Sequence, residues 1–354
     1  MRWDIFCRVI DNHGDLGVCW RLAADLAGRG DRVRLWVDDP SALAWMAPDG
    51  APGVELRPWT TPLGAAALAS VDMPDALVEA FGCDIAPEFI AHCARLADAG
   101  ARKPAWLNLE YLTAEPYAAR CHGLPSPVQH GPAAGWTKWF FYPGFTADTG
   151  GLLREPGIGS ADDETTEHSG DAAPDDPSPQ QVTLFCYEPP ALSDLLARLA
   201  EGPGPARLRA LPGRPVAAVN RILSSADRRG ALMIERPAPR PQAGFDDWLR
   251  RSDLNFVRGE DSLVRALWAG RPFVWQIYPQ DGGVHAAKLD AFLDWLDAPA
   301  DLRRFHHVWN GLRPGPLPPW DLPAWGAVVR TARVRALQVP DLATQLRRFA
   351  IEKQ

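Results

Sequence analysis

Two carboxylates stand four residues apart in a short glycine-containing segment near the beginning of the chain. The segment is Asp11-Asn12-His13-Gly14-Asp15-Leu16-Gly17. Carboxylates this close can raise the pKa of one of them, as a general base requires, or can hold a cation such as a guanidinium. The glycines allow close approach of the backbone to a ligand, and a following helix N-terminus favours an anion. The plainer alternative is that Asp15 caps the helix and Asp11 holds the turn.

A second polar segment combines an arginine with the start of a helix in the second half of the chain. It reads Arg258-Gly259-Glu260-Asp261-Ser262 and follows an apolar run. The guanidinium could pair with a diphosphate, whose oxygens the amides of the next residues could bind without a metal. Such a site stabilises a leaving nucleoside diphosphate. The alternative is an ordinary capping sequence beside a surface arginine.

Three aromatic residues of the second half of the chain could form a binding site for a nucleobase. Phe185 and Tyr187 alternate in one predicted strand and therefore share a face, where they could form a platform for a nucleobase that Phe245 covers. From the pattern alone, packing in a core is the favoured interpretation of these rings. The histidines lack metal-ligand spacing and the chain has no HExxH motif, so we expect no metal.

Alternating strands and helices must position these residues. Residues 3–10 form a predicted buried strand, 18–27 an amphipathic helix and 33–37 a second strand. This is the usual opening of a doubly wound α/β domain, in which ligands bind outside the carboxyl ends of the strands. We predict a Rossmann-like domain over residues 1–155.

The composition changes abruptly after that first domain. Residues 156–180 are polar and rich in Gly, Ser, Asp and Pro, which predicts a disordered or mobile linker. A second alternating pattern predicts another Rossmann-like domain over 181–335, and residues 336–354 a C-terminal helix that packs on the first domain. Two facing Rossmann-like domains with an interdomain cleft fit the α/β glycosyltransferase B (GT-B) architecture, and also many nucleotide enzymes.

The bulk properties agree with a two-domain cytoplasmic protein. At 354 residues the chain exceeds one ordinary core. The formal net charge of -7 argues against a general nucleic-acid binder, because affinity for a phosphate backbone depends on Lys and Arg. No window approaches about twenty uninterrupted apolar residues, so we expect no membrane contact. The six cysteines are scattered without CxxC pairs and are predicted to be reduced thiols.

With these segments in view, the chain closely resembles the EarP family, the bacterial protein-arginine rhamnosyltransferases that modify elongation factor P. The resemblance covers nearly the whole length apart from residues 156–180, and its motifs together are highly specific. The matching segments are Trp3-Asp4-Ile5-Phe6-Cys7 through Trp20-Arg21-Leu22, Leu107-Asn108-Leu109-Glu110-Tyr111-Leu112, Phe141-Tyr142-Pro143-Gly144-Phe145 through Gly150-Gly151-Leu152, Leu184-Phe185-Cys186-Tyr187-Glu188, Asp253 through Ser262, and Trp275-Gln276-Ile277-Tyr278-Pro279-Gln280. At His13 the family usually has an aromatic residue such as Phe, a difference that leaves both carboxylates intact.

The resemblance implies a metal-free, inverting transfer of L-rhamnose from dTDP-β-L-rhamnose to an arginine of elongation factor P, which activates that factor for rescue of ribosomes stalled at polyproline. The first domain would bind the acceptor and the second the nucleotide sugar. By similarity, Asp15 is the general base, Asp11 holds the acceptor arginine and Glu260 is the other essential carboxylate. Glu110 is a further candidate on the acceptor side. The implied donor-binding residues are Asn12, Gly14, Phe185, Tyr187, Gln242, Phe245, Arg258, Gly259, Asp261, Ser262 and Tyr278.

The chemistry of the acceptor agrees with this assignment. A guanidinium has a pKa above about 12 and is a poor nucleophile, so a carboxylate must orient it and take its proton as the new bond forms. A single displacement needs that base opposite the departing diphosphate, a geometry expected when the cleft closes. Two alternatives stay open, namely a GT-B transferase for a glycan or lipid and a non-catalytic adaptor that binds a translation factor. Asp11 with Asp15 favours a cationic acceptor, and Glu260 with Asp15 argues against the adaptor.

Overall fold

The computed structural model describes residues 1–10, 13–159, 178–224, 227–280 and 283–354. By its internal contacts the chain divides into two compact units. The first unit is Met1–Glu155 together with Val339–Gln354, and the second is Pro156–Gln338. Each unit is built on its own mainly parallel sheet.

The sheet of the first unit has the strand order β3-β2-β1-β4-β5-β7-β6 in the described part of the chain. Its strands are β1 (Arg2–Cys7), β2 (Arg32–Val37), β3 (Val54–Pro58), β4 (Ala76–Ala80), β5 (Ala105–Leu109), β6 (Pro125–Pro127) and β7 (Thr137–Phe141). All neighbours pair in parallel except β6 and β7, which are antiparallel. The chain runs outward from β1 to one side and then from β4 to the other, so the order switches between β1 and β4. In such sheets a ligand site lies outside the carboxyl ends at the switch point.

In the described part of the first unit, five helices alternate with these strands. They are α1 (Gly14–Gly28), α2 (Leu43–Met46), α3 (Ala65–Leu68), α4 (Pro87–Asp98) and α5 (Pro116–Cys121). Ile5 in β1 lies opposite Leu35 and Val78 in the neighbouring strands, and all three are fully buried. The apolar stripe of α1, which includes Leu16 and Leu22, packs into the same core cluster. This packing fixes the start of α1 at the switch point.

The second unit has the strand order β10-β11-β9-β8-β12-β13, with all neighbours parallel except β10 and β11. Its strands are β8 (Gln180–Leu184), β9 (Ala206–Ala210), β10 (Arg228–Arg229), β11 (Leu232–Glu235), β12 (Leu254–Arg258) and β13 (Phe273–Gln276). Its described helices are α6 (Leu192–Glu201), α7 (Arg214–Leu223), α8 (Gln242–Arg251), α9 (Asp261–Ala269), α10 (Val284–Trp295), α11 (Ala300–Trp309) and α12 (Leu322–Leu337). Phe256 in the inner strand β12 is fully buried and its ring centroid lies 4.4 Å from that of Trp309. The apolar run before Arg258 is therefore a core strand, and Arg258 stands at its carboxyl end.

The C-terminal segment differs from the single predicted helix over 336–354. α12 ends at Leu337, and a separate helix, α13 (Leu342–Lys353), follows. The break has a physical cause, because Pro340 has no N–H to continue a helix and the Asp341 side chain caps the new one by accepting from the Thr344 amide at 2.8 Å. α13 belongs to the first unit, where it packs against β5 and α1 and buries Leu346 in the core.

The predicted linker over 156–180 is only partly described. Residues 160–177 lie outside the described residues. Pro156–Gly159 is part of the second unit, and an added Cβ at Gly159 would come within 2.7 Å of Leu337. At the other end, β8 already begins at Gln180.

No helix in the described ranges is long and apolar enough to cross a membrane. All six cysteines are free thiols, and five of them are buried.

Candidate active site

The loop between β1 and α1 carries the first predicted site. Asp11 and Asn12 lie outside the described residues, so their predicted roles remain predictions. His13 holds the N-cap position of α1 without a side-chain hydrogen bond to the helix, and its carbonyl accepts from the Gly17 amide at 2.9 Å. The His13 ring meets the ring of Trp45 edge-on at 6.0 Å, so it keeps the aromatic character expected at this position.

Gly14 and Asp15 form the first turn of α1 at the carboxyl edge of the sheet. Gly14 is exposed, and an added Cβ would meet no described atom within 4 Å. Asp15 is partly exposed, and its Oδ2 accepts a hydrogen bond from the Tyr111 hydroxyl at 3.4 Å. Because His13 is the N-cap residue, Asp15 does not have the simple capping position considered for it.

Tyr111 is a contributor to this site that the sequence did not single out. It follows β5, and its ring stacks on Phe81, which follows β4, with centroids 4.8 Å apart. Phe81 has a backbone φ of 58°, a left-handed conformation that is uncommon for a bulky residue and occurs often at functional sites. The carboxyl ends of β4 and β5 thus present an aromatic pair beside Asp15.

Glu110, the predicted acceptor-side residue, lies at the same edge of the sheet. Its amide donates to the Phe141 carbonyl at 2.9 Å, and its Oε1 accepts from the Asn108 side-chain amide at 2.8 Å. Burial raises the pKa of Glu110, and the hydrogen bond from Asn108 opposes this only in part. Burial and the neighbouring charge of Glu110 also raise the pKa of Tyr142 to about 12. A half-buried carboxylate of this kind gains from a cationic partner.

In the second unit, one arginine joins the aromatic residues to the polar turn. The guanidinium carbon of Arg258 lies 4.5 Å from the ring centroid of Phe185 and 4.6 Å from that of Tyr187. Its Nη1 also donates to the Cys186 carbonyl at 3.5 Å. Arg258 is therefore half-buried on two rings rather than a surface arginine. A base that stacks on the faces now covered by Arg258 requires the guanidinium to move away.

The other predicted donor residues surround these rings. Phe245 meets Phe185 edge-on at 5.5 Å, and it lies in the first turn of α8, which Gln242 begins. Tyr278 meets Tyr187 edge-on at 5.4 Å and is 46% exposed. Tyr187 itself is buried and Phe185 is only partly so. The rings therefore line one edge of the sheet and do not form an ordinary closed core.

The turn between β12 and α9 is held by several hydrogen bonds. Gly259 has a φ of 65°, which a glycine adopts without strain, and its carbonyl accepts from the Trp275 indole N–H at 2.8 Å. The Ser262 hydroxyl accepts from the Arg258 amide at 3.1 Å and donates to the Arg258 carbonyl. Asp261 begins α9, whose first amides point towards the same edge of the sheet. Such a helix start binds phosphate oxygens.

Three residues near the second site were missed by sequence reasoning. Trp275 supports Gly259, and Lys288 forms an ion pair with Glu260 at 2.9 Å. Arg214, the first residue of α7, places its guanidinium 5.5 Å from the Tyr187 ring. Each is far from its partner in sequence, so no local motif marks it. In the described part of the chain, no group of three or more His, Cys, Asp or Glu side chains could hold a metal ion, and the metal-free reaction stays a prediction.

The chain matches the family model described as Elongation-Factor P (EF-P) rhamnosyltransferase EarP over residues 3–351. A protein-arginine rhamnosyltransferase from Pseudomonas aeruginosa is 40% identical, with 98% of both chains covered. A solved structure described as the structural basis for EarP-mediated arginine glycosylation of translation elongation factor EF-P superposes with a TM-score of 0.64 and 27% identity. That superposition covers 100% of this chain and 99% of the other.

More distant structures agree on the fold alone. The glycosyltransferase SsfS6 from Streptomyces sp. SF2575 gives a TM-score of 0.52 at 12% identity over the full length of both chains. The two parallel-rich sheets and these neighbours confirm the predicted GT-B fold class. The chain therefore belongs to the EarP family of elongation factor P rhamnosyltransferases, and it is an enzyme of the glycosyltransferase class.

Proposed function

We propose that this protein transfers L-rhamnose from dTDP-β-L-rhamnose to an arginine side chain of elongation factor P, with inversion at the sugar and without a metal. The modified factor then acts in the cytoplasm on ribosomes stalled at polyproline. The observation that carries the proposal is the arrangement at the turn between β12 and α9. There the guanidinium of Arg258, two aromatic rings and the start of a helix meet at one edge of the sheet. The names of the relatives support the choice of rhamnose and of arginine.

The second unit suits a nucleoside diphosphate. Phe185 and Phe245 offer ring faces and edges for the base, and Gln242 offers an amide for its polar edge. The first amides of α9 and the guanidinium of Arg258 offer donors for the diphosphate. In the proposed complex Arg258 leaves the rings of Phe185 and Tyr187 and pairs with the diphosphate, because a planar base takes its place.

The first unit suits a cationic acceptor. In the proposed reaction Asp15 accepts a proton from the guanidinium, and a nitrogen lone pair then forms the bond to C1 of rhamnose. The bond between C1 and the phosphate oxygen breaks, and its electron pair leaves with dTDP. Asp11 and Glu110 are assigned to holding the guanidinium, and Glu260 to the donor side. The half-buried position of Glu110 supports an acceptor that brings its own positive charge.

Intact-mass spectrometry of purified elongation factor P tests this function. Incubation with the full-length protein and dTDP-β-L-rhamnose should add the mass of one deoxyhexose, and peptide fragmentation should place it on an arginine. The same reaction in excess EDTA should proceed unchanged. The variant Asp15→Asn should add no mass in the same time. The proposal fails if wild-type protein transfers nothing under conditions where titration shows that both substrates bind.

A further inference from the structure

Lys288 forms a close ion pair with Glu260. The ammonium Nζ lies 2.9 Å from Glu260 Oε1, and the two side chains are only 20% and 18% exposed. Lys288 lies in the second turn of α10, whereas Glu260 is the residue that precedes α9. The pair therefore ties the turn after β12 to a helix that follows β13. Nothing in the local sequence connects these two positions, which are 28 residues apart.

The ion pair acts on the side chain of Glu260, whereas other bonds of the turn act on its backbone. Trp275 and Ser262 hold the backbone of residues 258 and 259. Glu260 has no side-chain hydrogen bond to the helix that it precedes, so capping does not set its rotamer. A charge-assisted hydrogen bond at low exposure is strong enough to select one carboxylate orientation.

We infer that Lys288 is a positioning residue for the transfer reaction, which acts by holding the carboxylate of Glu260 in the orientation that the reaction uses. This inference rests on the proposed function and on the role proposed there for Glu260. It assigns Lys288 an effect through Glu260 and not through a contact of its own with the diphosphate. The two competing accounts are a direct phosphate contact and a purely structural role of Lys288. Each predicts kinetics that differ from those of a positioning residue.

A double-mutant cycle with Glu260 distinguishes these accounts. Steady-state transfer to elongation factor P would be measured for Lys288→Met, Lys288→Arg, Glu260→Gln and the double variant Lys288→Met with Glu260→Gln, using mass spectrometry over long incubations for the slow variants. Lys288→Met should lower kcat about 100-fold, because a misplaced reacting group commonly costs that much. The KM for dTDP-rhamnose and the Kd for dTDP should stay unchanged. Lys288→Arg should stay within about tenfold of wild type, since it keeps the cation.

The cycle gives the sharpest result. In the Glu260→Gln background, the further change Lys288→Met should alter kcat by less than about twofold, because residues that act through one another are not additive. A full-sized loss from Lys288→Met in that background would overturn the inference, as would a raised donor KM with unchanged kcat. The latter result would indicate a direct phosphate contact.

Arg303→Met is the matched control. Arg303 in α11 pairs with Asp294 in α10 at 2.7 Å, so this change also removes an ion pair from the helix that carries Lys288. Its kcat should equal that of wild type, and thermal unfolding of both variants would show whether either loses its fold. A wild-type kcat for a folded Lys288→Met refutes the inference alone, whereas absence of transfer by wild-type protein refutes the proposed function as well.

Discussion

Each of the two candidate site regions contains a partly buried glutamate, and the two glutamates have different partners. Glu110 in the first unit accepts its described hydrogen bond from the neutral amide of Asn108, and burial raises its pKa. Glu260 in the second unit is paired with the ammonium of Lys288 at 2.9 Å. Both carboxylates are partly buried and follow a parallel strand at its carboxyl end. Among the described residues, Lys288 balances the charge of Glu260, whereas no lysine or arginine forms an ion pair with Glu110.

The difference indicates where a cationic substrate fits. A half-buried carboxylate with a neutral partner gains most from a positive charge that arrives with a ligand, and a guanidinium provides it in a planar, bidentate form. The turn at Glu260 instead contains its own cation and several backbone hydrogen bonds, so the backbone of the turn and the Glu260 carboxylate are held in place before a ligand binds. We therefore associate the first unit with the arginine acceptor and the second with the nucleotide sugar.

The largest expected effect is that of Asp15→Asn on the acceptor side. Loss of the general base should lower kcat about 1000-fold while the affinity for dTDP stays the same. Transfer rates to elongation factor P and calorimetric titration of dTDP would measure the two quantities. Asp39→Asn is the control, because Asp39 is an exposed carboxylate that follows β2 at the same edge of the sheet. Equal losses in the two variants would show that general surface charge, and not the position of Asp15, matters.

On the donor side, Phe185→Leu should weaken dTDP binding by about tenfold to a hundredfold, since stacking on one base contributes about 1 to 3 kcal/mol. With dTDP-rhamnose at saturation, the rate should approach that of wild type. Titration of dTDP would provide the affinity. Phe305→Leu makes the same change at a buried ring that contacts Phe256 and Trp325, and its dTDP affinity should be unchanged. Unchanged dTDP binding by Phe185→Leu would show that the base of dTDP does not stack on Phe185.

The pH dependence of acceptor binding should depend on Glu110. Because burial raises its pKa, Glu110 becomes protonated at a higher pH than an ordinary glutamate as the pH falls. The KM for elongation factor P should therefore increase as the pH falls through that raised pKa. Glu110→Gln should show a KM about tenfold higher that varies less with pH.

Glu115→Gln is the comparison for that experiment. Its carboxylate accepts from the Thr113 hydroxyl at 3.0 Å on the same segment after β5. This variant should keep the pH profile of wild type. An identical pH profile for Glu110→Gln and wild type would exclude Glu110 as the titrating group.

The smallest expected effect is that of Tyr111→Phe. The hydrogen bond from its hydroxyl to Asp15 is long, at 3.4 Å, and the phenyl ring keeps its stacking on Phe81. We expect kcat to fall about threefold, in line with the loss of one weak hydrogen bond. Tyr117→Phe, at another tyrosine that is 39% exposed in the same unit, should have no effect. A loss of much more than tenfold would give the Tyr111 hydroxyl a chemical role that the geometry does not indicate.

Buried parallel strands were the part of the fold that the sequence predicted best. The sequence also predicts strands over residues 105–109 and 273–276, and both have these bounds in the structure, because strands covered on both faces are nearly continuous apolar runs. β7 was not predicted, since Lys138 interrupts its apolar pattern. In the structure, the charge of Lys138 within this strand is balanced by Glu79 in β4, whose buried carboxylate pairs with the Lys138 ammonium at 2.7 Å. A pairing across such a distance in sequence has no local signal.

Whether a site residue could be predicted likewise depends on whether its partners are close to it in the sequence. Gly259 and Ser262 were singled out because strand-to-helix turns have a recognisable local composition, and the structure shows their conformation and bonds. Tyr111 and Lys288 reach Asp15 and Glu260 only through the folding of the chain. The bond from Tyr111 joins residues 96 positions apart in the chain, so only the strand order reveals it.

The division of roles between the two units is tested most directly by measuring one pair of variants in two assays. Calorimetric Kd for dTDP and the transfer rate to elongation factor P at saturating donor would be determined for Asp15→Asn and Phe185→Leu in the full-length protein. The account predicts that Asp15→Asn loses the rate and keeps the Kd, whereas Phe185→Leu loses the Kd and keeps most of the saturated rate. A wild-type rate in Asp15→Asn, or a loss of dTDP affinity in that variant as large as in Phe185→Leu, would contradict it.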